Sequence, residues 1–197
     1  MDSTGYGTNK YESWFDIRTG EDSKRKRYKK SHMIVGYWFK GILSHEITPG
    51  HWHDSPIYPL LIEKLPAGDY EGISGDNSYC SRYNCTLTQG MGMKPFFKPR
   101  EDATANAKSS SAWHKMIRLW KDNKKLFDNE YHRRSVIEAV IGAEKQRLGH
   151  TLFSKRDDLQ DKELRLKNIC YNLLVLNKMK ASFLLDEPLL NPVEKAS

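Results

Sequence analysis

Cysteine is scarce: three occur in 197 residues, with Cys80 and Cys85 five positions apart and Cys170 distant. The odd count and the lack of a Cys-x-x-Cys pair argue against a disulfide framework and a cysteine-rich zinc module, and the three read as reduced cytosolic thiols used for packing. Long apolar runs are also missing. No stretch approaches the roughly 20 residues needed to span a bilayer, and residues 1–15 are polar and aromatic, so neither a membrane anchor nor a signal peptide is expected. Internal repeats and low-complexity tracts are absent, and the length suits one domain with at most a small appendage rather than a two-domain enzyme. Asn84-Cys85-Thr86 spells a glycosylation acceptor, which carries no weight without a secretory route.

What is present suits a globular chain with a real core: 38% hydrophobic and 29% charged residues. Lys plus Arg number 32 against 25 Asp plus Glu, a net charge of +7, and such a field favours a polyanionic partner such as nucleic acid. Six of the seven residues 24–30 are basic, which predicts an exposed loop able to meet DNA phosphate. Residues 32–39 and 41–48, rich in β-branched and aromatic side chains, predict two adjacent strands joined by a tight turn at Lys40-Gly41. Asp54-Ser55-Pro56 predicts a helix start with Asp54 as its cap. Residues 68–75 should form a loop feeding a short strand that delivers Asp76, residues 78–89 a helix, and residues 93–97 a strand. Beyond residue 112 the chain is expected to be mostly helical, over 112–123, 130–148 and 161–185. In the last, Leu166, Ile169, Cys170, Leu173 and Leu176 recur at helical spacing as one apolar stripe.

One window concentrates chemistry. If residues 130–148 are one helix, Tyr131, Arg134, Glu138 and Lys145 fall within an arc of about 60°, with Val136, Val140 and Ala143 opposite. Gly142 shares the polar face, where a missing side chain would let another backbone approach. Spacing by itself is equally met by a solvated helix face with an Arg134/Glu138 ion pair.

The spacing Tyr-x2-Arg-x3-Glu-x6-Lys resembles the signature of a group of insertion-sequence transposases of the DDE class. Two further segments resemble that family in the right order: Asp2-Ser3-Thr4-Gly5-Tyr6 the region of its first catalytic aspartate, and Gly75-Asp76-Asn77-Ser78-Tyr79 that of its second. Lys30-Ser31-His32, Thr48-Pro49-Gly50 through His53-Asp54-Ser55, Pro95-Phe96-Phe97 and Glu163-x3-Lys167-x4-Asn172 extend the likeness over nearly the whole chain.

The resemblance implies an α/β fold: an RNase H-like core, a mixed sheet flanked by helices, with a helical C-terminal part. It implies one catalytic domain over residues 1–185 followed by a tail, 186–197. Asp2, Asp76 and Glu138 would be catalytic metal ligands for Mg2+, with Mn2+ as substitute, and Tyr131, Arg134 and Lys145 would hold the DNA strand. Three carboxylates from separated elements suit two divalent cations that activate the attacking oxygen and stabilise the leaving one. The implied activity is cleavage and strand transfer at insertion-sequence ends. The implied partners are double-stranded DNA, as transposon ends and target, and further copies of the chain on DNA, with no membrane and no small-molecule substrate; the implied setting is the cytoplasm, at the nucleoid. Because Asp2 is the second residue, the strand expected to carry it is largely missing, which suggests a frame truncated at its start. The alternative is therefore an inactive remnant that only binds DNA or full-length transposase.

Other candidates compete. His51-x-His53-Asp54, with His32 and His45, could nucleate a metal site, although histidines one residue apart on a loop are more often surface residues. Trp113 and Trp120, seven apart, suit a core face better than a base-stacking platform. Glu130 and Glu144 flank Glu138 but lie off its centre, and Asp54 is the rival of Asp76 because it too follows a strand-like segment.

Overall fold

The structure, a computed structural model, describes residues 1–8, 28–105 and 110–184. Strand β1 (Asp2–Gly7) lies antiparallel to β2 (Tyr28–Val35), Asp2 opposite Met33 and Gly7 opposite Tyr28. β2 in turn lies antiparallel to β3 (Ile42–Pro49), with a register shift at Ile34/Val35. The predicted hairpin is therefore present, with a wider turn than expected. Lys40 adopts a φ of 56°, its amide donates to Gly36 O, and the Gly36 amide donates to Gly41 O. The Phe39 ring lies over both glycines, so closely that a Cβ on Gly36 would come within 2.4 Å of it. A side chain there would have to displace the ring.

β2 is central and covered on both faces. Met33 packs with Ile42, Ile137, Val140 and Tyr171, while Ile34 faces the larger core of Ile57, Tyr58, Leu61, Phe97 and Ile117. Alternation of side chains along a strand produces this division. The core side is roofed by a 3-10 turn (Ser55–Ile57) and helix α1 (Tyr58–Glu63). The cap predicted for Asp54 is not made: its side chain accepts no amide of that helix start and is used elsewhere.

A second unit follows. β4 (Gly72–Gly75) and β5 (Lys94–Phe97) run parallel, connected by α2 (Arg82–Gly90), whose first turn is capped by Ser81 Oγ accepting from Asn84 N. A parallel pair needs such a crossover. β4 delivers Asp76, as expected, into a 3-10 turn (Asn77–Tyr79) that Asp76 caps through the Ser78 amide. The two sheets meet where the Met1 nitrogen donates to Ser74 O.

Helices α3 (Ser111–Asp122), α4 (Lys124–His132), α5 (Ser135–Leu148) and α6 (Asp157–Leu184) complete the described chain. Trp113 and Trp120 pack against the edge of the larger core, as read from sequence. The single helix predicted over 130–148 is instead two, broken at Arg133 and Arg134. Its apolar face is also shifted: Ile137, Val140 and Glu144 are the buried residues, and nothing of the described chain lies within 4 Å of a Cβ built on Gly142. In α6 the predicted stripe is not core. Leu166, Ile169, Leu173 and Leu176 are 50–59% exposed and Cys170 is exposed, whereas Leu164, Lys167, Asn168 and Tyr171 are buried.

The expected loss of the first strand is corrected to this extent: Asp2–Gly7 form six strand residues, with Asp2 opening the strand rather than ending it. Residues 24–27 of the basic run lie outside the described residues. Of the rest, Lys29 is buried in β2, ion-paired to Asp157 at 2.7 Å and Asp161 at 2.9 Å, so it is a structural cation and not a solvated one. Residues 186–197 also lie outside the described residues. Among the described residues no helix is long and apolar enough to cross a membrane.

Candidate active site

Arg134 is the centre of the arrangement. It sits at the break between α4 and α5, where its Nη2 donates to Asp2 Oδ2 at 2.7 Å and its Nη1 lies 3.4 Å from Glu138 Oε1. One guanidinium thus gathers a carboxylate from 132 positions away and another from the first turn of α5. Asp2 Oδ1 accepts from the Ser3 amide at 2.8 Å, and Glu138 is largely exposed. Tyr131 ends α4 beside this pair: burial raises its phenol above the ordinary range, against the pull of Arg134, and the charges of Asp76 and Asp2 also reach it. Lys145 is turned back onto β1, donating to Thr4 Oγ1 at 2.6 Å and Gly5 O at 3.0 Å. It also lies 5.0 Å from the Tyr6 ring centre.

Asp76 occupies the end of β4. Its Oδ1 accepts from the Ser78 amide at 3.0 Å and stands 2.5 Å from Ser78 Oγ. Asp54 joins this group although its sequence role was read as a cap. Asp54 Oδ2 accepts from Ser3 Oγ and from Ser78 Oγ, each at 3.0 Å, and Oδ1 accepts from Lys30 Nζ at 2.9 Å. Burial alone would raise the Asp54 carboxyl, but the hydrogen bonds of Lys30 and Ser3 hold it below the usual carboxylate range. The signal for Ser3, Lys30 and Asp54 was present in the segments that resemble the transposase family. Residue type alone gave no reason to bring them together.

The competing carboxylates fall away. Glu144 is fully buried and accepts from Tyr6 Oη at 2.6 Å, and Glu130 pairs with Arg133. The histidines do not gather: His32 is buried, its ring nitrogens 3.1 Å from Tyr79 Oη and 2.9 Å from Thr48 Oγ1, while His51 and His53 are exposed. Two cavities flank the site. One of about 560 Å³ is lined by Met1, Ser74, Tyr37, Trp38, Arg133 and Arg134; the other, of about 740 Å³, by Asp54, Ser78, Arg82, Arg100 and Trp113.

Residues 1–173 match the family described as the transposase DDE domain. The chain belongs to the DDE transposases. No curated protein and no solved structure matches it. In this DDE transposase the carboxylates expected to act on metal are all hard oxygen donors, which fits a small divalent cation in kind. As they stand, no three His, Cys, Asp or Glu side chains among the described residues are close enough to grip an ion. Asp2 and Glu138 instead share the single guanidinium of Arg134.

Proposed function

We propose that this DDE transposase cleaves DNA strands at insertion-sequence ends and joins the freed 3′-hydroxyl to target DNA, with Asp2, Asp76 and Glu138 as its catalytic carboxylates. The observation that carries the reading is Arg134 drawing Asp2 and Glu138 together from distant elements. Asp76 supports it from the end of β4, whose neighbour Ser74 accepts from the Met1 nitrogen. That contact supports an RNase H-like order, β3-β2-β1 passing into β4-β5.

The three carboxylates would hold Mg2+ or Mn2+, which supplies an activated attacking oxygen and charge neutralisation at the leaving oxygen. Arg134 holds the Asp2 and Glu138 carboxylates in orientation until then. A guanidinium also suits a phosphate oxygen, so Arg134 can exchange its carboxylate partners for the DNA backbone. Lys145 holds β1 at Thr4 and Gly5 and lies against the Tyr6 ring, fixing the strand that presents Asp2. The partners proposed are double-stranded DNA and further copies of the chain bound to it.

A second reading, a chain that binds DNA or a longer transposase without cutting, is favoured by one observation: among the described residues no three carboxylates converge as they stand. One experiment separates the two. The purified chain is incubated with Mn2+ and supercoiled plasmid carrying the DNA that flanks its own coding frame. Nicking by the parent that falls about 100-fold or more in Glu138→Gln, a loss of about 2.7 kcal/mol of transition-state stabilisation, with DNA binding unchanged, supports catalysis. Binding without nicking by the parent supports the second reading, and nicking that survives Glu138→Gln removes Glu138 from the site.

A further inference from the structure

Asp54 touches neither Arg134 nor Glu138, yet it is bonded to the immediate neighbours of both strand-borne aspartates. Ser3 follows Asp2 on β1, and Ser78 is two residues past Asp76 beyond β4; both hydroxyls end on the same oxygen, Asp54 Oδ2, at 3.0 Å. The other oxygen is fixed by Lys30 Nζ on β2 at 2.9 Å, and that ammonium is itself anchored to Trp52 O at 3.0 Å. The carboxylate is therefore held by three elements at once and has little freedom to turn.

We propose that Asp54 is a positioning residue, a strut between β1 and β4 that sets the separation of Asp2 and Asp76 for a shared divalent cation. The inference rests on the reading of Asp2 and Asp76 as metal ligands. Hydrogen counting strengthens it. Ser78 Oγ has one hydrogen but lies 3.0 Å from Asp54 Oδ2 and 2.5 Å from Asp76 Oδ1. With both carboxylates ionised, one of these contacts sets two lone pairs against each other. Were Asp76 Oδ1 engaged by a divalent cation, that repulsion would be relieved and the Ser78 hydrogen left to Asp54. The strut is thus best satisfied when Asp76 is engaged with metal, and outer-shell partners of metal ligands commonly matter by about 10–100-fold in metal affinity.

The test is thermal unfolding of the whole chain across a Mn2+ titration, with binding to a plasmid-derived duplex measured alongside. The parent should be stabilised by Mn2+, because binding to the folded state must raise its midpoint. Asp54→Asn should need about 10-fold more Mn2+ or higher for half of that effect, with DNA affinity in the absence of metal unchanged. Ser3→Ala with Ser78→Ala, which keeps the Asp54 charge and its Lys30 pair, should shift the Mn2+ midpoint in the same direction. This double variant decides the matter if Asp54→Asn does not fold. A parent that responds to Mn2+ while the variants respond at the same concentration overturns the strut and leaves the metal reading intact. A parent indifferent to Mn2+ overturns both.

Discussion

His32 shows how burial can outweigh a neighbouring carboxylate in setting a titration. Its ring is fully enclosed, and desolvation pushes its pKa from 6.5 down to about 4, with Asp54 opposing the shift. The folded chain therefore binds that proton less readily than the unfolded one. Stability from this group is present in full above pH 6.5 and is lost as pH falls from there through about 4. The loss is on the order of 3 kcal/mol. Urea unfolding from pH 7 to pH 4 should show a shallower decline for His32→Gln than for the parent; parallel curves would mean that His32 takes up its proton at little cost. At the same scale, Asp54 was legible as an acidic residue in a motif but not as a strut, because its three partners are 51, 24 and 24 positions away. Spacing along a chain reports neighbours on one element and is silent about such distances.

At the scale of the element, the sequence was most informative where a period coincided with a boundary signal. β4, with Asp76 just past its end, β5 and β3 came out within a residue of expectation, whereas β2 runs four residues earlier than expected, Tyr28–Val35 against 32–39. The break at Arg133 and Arg134 was not legible, since neither glycine nor proline marks it and Arg134 keeps helical angles, with φ −57° and ψ −30°. In α6 the helix was legible but its packed face was not. A 3.6-residue repeat says that a helix has an apolar face, not that the face is covered. Its packed face is chosen by polar anchors: Asn172 takes both the amide and the carbonyl of Ile42 at 2.8 Å, and Lys167 takes Gly149 O and Thr151 O. Glu163 accepts the Phe153 and Ser154 amides. Leu164→Ala should accordingly cost about 2–5 kcal/mol, while Leu173→Gln on the exposed stripe should stay within about 0.5 kcal/mol. Chemical denaturation of the two variants checks this, and the reverse ranking would mean that the stripe is the packed face.

For the whole molecule, family membership and the mixed α/β architecture were readable because three motifs kept their order along the chain. The detailed geometry was not, because it depends on where α5 and α6 land on the first sheet. The net charge of +7 also acts at this scale. Affinity for random duplex DNA should fall at least about tenfold between 50 and 200 mM salt, from release of condensed counterions. Affinity flat over that range, measured by fluorescence anisotropy, would mean that the charge does not face DNA.

Lys29 carries a consequence in time. Its buried ammonium in β2 is neutralised by Asp157 and Asp161 at the start of α6, and Tyr6 in β1 waits in the same way for Glu144. On a ribosome adding about 5–20 residues per second, the acids that Lys29 needs are made roughly 6–26 s after it. During that interval the first sheet has a cation to bury and nothing to bury it with. The first sheet is thus completed by the last described helix, and its strands cannot settle until Asp157 and Asp161 have been made.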